Sequence, residues 1–269
     1  MSETTPLDLA HAAMEEAPDD DAVRLRFYHR LADTELFLLL VAEPDGDAIT
    51  PHVFALEDGT FVAAFDQEER LAAFCDAPAP YAALPGRAIA AQLAGQGIGL
   101  ALNLGVAPSG HLLPAAAIDW LSETLGHDPG HADARPEGFA APDDLPQALV
   151  AELSAKLSGL GAVAKRAGLA RAAYSDGREG ALLGFVGAVP GVEPSLAKAV
   201  SEALSFSGVD TVDLDVAFLP ADGPAAEAFL AVAQELELSP PPSPEAEQPE
   251  RCQAEPEIPN LRVYRQRDA

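Results

Sequence analysis

Residues 34–65 constrain this chain more than any other stretch. Thr34-Glu35-Leu36-Phe37-Leu38-Leu39-Leu40-Val41 is an almost unbroken apolar run of strand length, and Val53-Phe54-Ala55-Leu56 and Thr60-Phe61-Val62-Ala63-Ala64-Phe65 flank Glu57-Asp58-Gly59. A short apolar run bounded by polar turns reads as a strand buried on both faces. Asp-Gly between two such runs predicts a hairpin whose two turn residues both take positive φ. The stretch therefore predicts three strands, the first central and the other two joined by a tight turn.

Helical periodicity surrounds this sheet. Thr5-Pro6 predicts a helix start, with Leu7, Ala10, His11 and Met14 on one face. A second helix over 22–31 places Val23, Phe27 and Leu31 inward. Asp66 followed by Glu69 has capping-box character and predicts a helix carrying Leu71, Phe74 and Cys75 inward. After a break at 77–80, Pro85 opens a helix over 86–94. Residues 97–105 alternate: Ile98, Leu100, Leu102 and Leu104 point one way, Gly99, Ala101 and Asn103 the other. A face so small admits a close neighbour or a ligand. His111-Leu112-Leu113 adds a short strand, and Pro114 opens a helix with Ile118, Leu121 and Leu125 inward.

Residues 126–142 are rich in Gly, Pro and Asp and predict a linker between two domains, 1–125 and 143–238. The second domain predicts a helix over 145–157 capped by Asp143 or Asp144, strands at 163–174 and 181–189, a helix opened by Pro194, a strand at 209–219 and a helix over 225–236. The predicted class is α+β: two domains, each a mixed or mainly antiparallel sheet with helices on one face. Residues 239–259 are Pro- and Glu-rich and predict a disordered tail, which ends in a short apolar segment at 258–264. Leu261, Val263 and Tyr264 of that segment are candidates for binding a partner or for docking back.

Composition excludes several functions. The 269 residues carry a net charge of −27, which repels nucleic-acid phosphates and anionic membrane surfaces. No run of about 18 apolar residues predicts a membrane span, and the acidic N-terminus does not read as a signal peptide, so the expected compartment is the cytoplasm. Cys75 and Cys252 form neither a disulfide framework nor a zinc pattern. His127-Asp128 and His131-x-Asp133 are interrupted by Pro129 and Gly130 and read as linker, so no metal and no cofactor is expected. Asp213 and Asp215 read as a solvent face. Ser195-x-x-Lys198 lacks the companion elements of a penicillin-interacting enzyme. Lys156, Lys165, Arg166, Arg171 and Arg178 predict contacts with the acidic first domain or, as the alternative, a small-anion site. The remaining ligand candidates are Asn103, on the small strand face, with Arg87 and His111 beside it.

The succession of Glu35-Leu36-Phe37-Leu38-Leu39-Leu40, Glu57-Asp58-Gly59, Phe61-Val62-Ala63-Ala64-Phe65 running into Glu69-Arg70-Leu71, then Gly99 to Gly105 and the Pro114 helix resembles the N-terminal domain of the SseB family of bacterial proteins. Leu149, Leu153, Val163, Ala172-Ala173-Tyr174 and Val212 to Val216 are similar in order to that family's C-terminal domain. The resemblance implies a cytoplasmic bacterial protein without agreed catalytic residues. The expected function is binding or regulation of a protein partner; the alternative is a small-molecule sensor or enzyme using a groove at Asn103, Arg87 and His111.

Overall fold

The computed structural model describes residues 4–44, 49–130, 135–142, 145–158, 160–208 and 213–238. The candidates Leu261, Val263 and Tyr264, the whole 239–269 segment, Asp143 and Asp144, His131 and Asp133, and Val212 lie outside them. Among the described residues there are two mixed sheets with helices, as the α+β class predicts. No helix among them is long and apolar enough to cross a membrane.

The first sheet runs β4(Tyr81–Pro85)-β1(Glu35–Leu39)-β3(Gly59–Phe65)-β5(Ile98–Leu102)-β6(His111–Leu113), with β2(Val53–Leu56) also paired to β3. Its centre is β3, the second arm of the hairpin. β1 pairs with Ala64 and Phe65, β2 with residues 59–62, and β5 runs parallel along the other edge. That position buries Phe61, Val62, Ala63, Ala64 and Phe65 in succession, as expected of a strand covered on both faces.

The hairpin turn lies one residue earlier than Asp-Gly predicts. Leu56 pairs with Gly59, the loop is Glu57-Asp58, and only Gly59, at φ 139°, has positive φ. β4 is an unpredicted strand, paired antiparallel to β1 over five residues.

Helices cover both faces of this sheet, not one. α1(Pro6–Glu16), α2(Asp21–Asp33), α4(Gly86–Leu93) and α5(Ala115–Gly126) bury Leu7, Phe27, Leu31, Ile89 and Ile118 against Leu36, Leu38, Val62, Leu100 and Leu102. α3(Glu68–Cys75) lies on the opposite face, with Leu71 against Leu39, Ala63 and Phe65. α1 starts as its sequence predicts: Thr5 accepts from the Asp8 amide and Asp8 accepts from the Thr5 amide, a reciprocal cap. α3 does not. Its N-cap is Gln67, and Asp66 is engaged elsewhere.

The second sheet runs β10(Leu214–Leu219)-β9(Glu179–Val186)-β8(Arg166–Tyr174)-β11(Gln234–Leu236), with β7(Pro136–Ala140) also on β8. β7 falls inside the predicted linker, so the second sheet begins before residue 143. β9 and β10 are parallel across α7(Glu193–Phe206). α6(Gln147–Leu157) and α7 cover one face, and α8(Pro224–Leu230) covers the other with Phe229. The predicted last helix is therefore shorter: Leu236 is buried as part of a strand.

Candidate functional site

Asn103, Arg87 and His111 each lie in a different group of side chains. The first forms under α1. Arg70, 2% exposed, donates to Asp8 Oδ2 at 2.6 Å, Asp8 Oδ1 at 2.9 Å and Asp66 Oδ1 at 2.8 Å. Thr5 Oγ1 donates to Asp66 Oδ2 at 2.6 Å. Asn103 is fully buried at the end of β5 with φ 47°; its Oδ1 accepts from the Asp66 amide and its Nδ2 donates to Ser109 Oγ, which in turn donates to Asp8.

The Asn103 backbone leaves the strand there, so Leu104 does not continue the alternation. Burial pushes the Asp8 carboxyl up, but the hydrogen bonds from Arg70, Ser109 and Thr5 outweigh it and hold the group well below the usual carboxylate range. This cluster binds α1, α3 and the ends of β3 and β5 together. The rest of the small face is closed as well: a Cβ on Gly99 would stand 2.4 Å from the Leu113 carbonyl and 2.6 Å from the Phe61 ring.

Arg87 belongs to the second cluster, where α2 and α4 meet α6 and α7. It forks onto Glu202 of α7 at 2.9 and 3.1 Å and also binds Asp33 of α2. Lys156 of α6 donates to Asp33 Oδ2 at 2.7 Å and to His29 Nε2 at 2.9 Å, and lies 3.5 Å from Glu202. An ammonium can only donate, so His29 Nε2 is the unprotonated nitrogen. Burial, then the Lys156 charge, lowers the His29 pKa to about 4.

Beside this cluster Phe206, the last residue of α7, is fully buried in the first domain's core, stacked on His29 at 4.9 Å and edge-on to Trp120 at 6.1 Å. Of the five basic residues expected to meet the first domain, Lys156 does so; Arg166, Arg171 and Arg178 pair with Glu235, Glu179 and Asp176 of their own domain.

His111 is in a third place, on β6, against His11 of α1 and Phe27 of α2, with ring centroids 5.3 and 5.7 Å away. Asn103, Arg87 and His111 thus sit in separate clusters and share no hydrogen bond or ion pair.

A concavity opens elsewhere. It has a volume of about 700 Å³ and opens between α1, α2 and α6. Its lining is apolar at Leu9 (64% exposed), Ala10, Ala13 and Val23 and charged at Arg26, Arg30, Glu152 and Lys156. Sequence periodicity gave no sign of it, because its walls come from residues more than a hundred positions apart; Leu9, an apolar residue off the buried face of α1, is a signal in the sequence.

Residues 9–120 match the family model of the SseB protein N-terminal domain, which spans α1 to α5 and stops short of the second sheet. Neither curated proteins nor solved structures give a match.

Proposed function

We propose that this chain, which belongs to the SseB family through the N-terminal domain of residues 9–120, is a bacterial cytoplasmic protein that acts by binding a protein partner rather than by catalysis. The partner's contribution is an amphipathic segment laid in the groove between α1, α2 and α6. It sets apolar side chains on Leu9, Ala13 and Val23 and a carboxylate against Arg26 or Arg30. The observation that carries this reading is Leu9: a leucine two-thirds exposed in the lining of a groove loses water contact only when something else fills the groove. Grooves between helices take an amphipathic helix readily, since its apolar stripe supplies the missing packing partner.

The polar clusters support the same reading. The charges of Arg70, Arg87 and Lys156 are engaged by carboxylates of the chain itself. They hold α1, α3 and the two domains in place, and so shape the groove.

A photoreactive residue at position 13, compared with one at exposed Asp58 on the hairpin, tests this in cells. The expected result is one adduct specific to position 13, mapped to an acidic amphipathic peptide of another protein and lost on Leu9→Asp. Equal labelling from both positions would overturn the proposal, as would labelling confined to residues 239–269 of the same chain.

A further inference from the structure

We propose that His11, Glu15 and His111 form a binding site for one divalent transition-metal ion, with zinc the natural probe. His11 and Glu15 stand one helical turn apart on α1, and β6 brings in His111 from a hundred positions along the chain. One donor atom from each lies within 4.8 Å of the others. Metal bonds of about 2.0–2.2 Å allow two ligands of one ion to stand up to roughly 4 Å apart. His11 Nε2 and Glu15 Oε1 are already 4.0 Å apart. The Glu15 side chain is 65% exposed and free to swing the remaining distance.

The observation that separates this trio from a chance grouping is His11. Its side chain is 8% exposed, and Nε2 is buried with no hydrogen-bond partner. Aromatic packing accounts for the ring, which meets Phe27 at 5.7 Å and His111 at 5.3 Å. It does not account for an orphaned nitrogen, which costs roughly 1–3 kcal/mol when buried without a partner. A metal ion would satisfy it.

Two imidazoles and a carboxylate suit zinc, cobalt or nickel, whereas magnesium and calcium prefer all-oxygen sets. Three protein ligands leave a coordination position for water or an incoming group. The other acid–histidine grouping, His29, Asp33 and Glu202, has no such vacancy, because Arg87 and Lys156 already neutralise it. A bound ion would tie α1 to the edge of the first sheet, on the side of α1 away from Leu9 and Ala13.

The test is a titration of the chelator-stripped full chain with Zn²⁺, and with Co²⁺ for its visible spectrum. One ion per chain is expected. Glu15→Gln, at an exposed position that leaves the fold intact, and His111→Gln should each weaken binding by at least the roughly 10–100-fold that even an outer-shell change costs. The double variant His127→Ala, His131→Ala should bind as the parent does. Absence of binding at about 100 μM metal, or binding unaltered by Glu15→Gln and His111→Gln, or binding abolished in the His127, His131 variant, would overturn the assignment.

Discussion

Replacing Arg70 by Met removes one cation from between two buried carboxylates. The Asp8 and Asp66 side chains are 4% and 1% exposed, and Arg70 reaches them through three charged hydrogen bonds of 2.6 to 2.9 Å. Met fills most of the volume, so the loss is electrostatic. Taking away one partner of a buried ion pair costs about 3–5 kcal/mol, because the charge left behind has neither water nor a counter-ion. Against a total stability of roughly 5–15 kcal/mol this is a large share, and it corresponds to a fall in Tm of about 6–20 °C for a chain of this size.

The acid dependence follows from the same cluster. The Asp8 pKa is depressed below its ordinary 3.8 in the folded state. Its stabilisation is present above that value and is lost as pH falls through the lower folded pKa. Urea unfolding at pH 7 and at pH 3 should therefore show a large gap between the parent and Arg70→Met at neutral pH that narrows in acid. Adding Asp8→Asn and Asp66→Asn to Arg70→Met should recover part of the loss. A neutral-pH difference under about 0.5 kcal/mol, the range of ordinary surface substitutions, would refute the reasoning.

Two further outcomes follow from single residues. His29 has a folded pKa lowered to about 4 from 6.5, so the unfolded chain takes up the proton first and stability drops as pH falls from 6.5 towards 4; at 1.36 kcal/mol per unit the loss is on the order of 3 kcal/mol, and His29→Gln should flatten that part of a pH series of denaturation midpoints. Gly99→Ala would drive a methyl into the Leu113 carbonyl and the Phe61 ring; overpacking of this kind costs about 1–3 kcal/mol, readable as a lower Tm with an unchanged far-UV spectrum.

Much of the fold was legible because its elements are periodic. Leu7, His11 and Met14 mark α1, and Thr5 caps it; the alternation at Ile98, Leu100 and Leu102 marks β5. What escaped were strands made by their neighbours. Tyr81-Ala-Ala-Leu-Pro has little apolar signal of its own and becomes β4 by pairing along β1. Pro136 and Gly138 disguise β7, and Gln234 to Leu236 continues a helical pattern but is held by β8.

Asp66 illustrates a different loss. An acid at a cap position looks local, yet its carboxylate is taken by Arg70 one turn on and by Thr5 from the chain's other end. The candidate sites were hidden for the same reason. His11–Glu15 spacing was visible in the sequence, but His111 joins it only through the fold. Arg87 and Glu202 are 115 positions apart.

The groove exists only while the two domains hold each other, and Phe206 is an apolar side chain that crosses between them. Trp120 is the chain's one tryptophan and lies edge-on to Phe206, so its emission reports this contact. In urea, Trp120 fluorescence and far-UV circular dichroism of the parent should trace one transition with a common midpoint. Phe206→Ala should separate the two curves and shift Trp120 emission to the red. Two midpoints in the parent, or a variant that still unfolds in one transition at the parent's midpoint, would contradict the account.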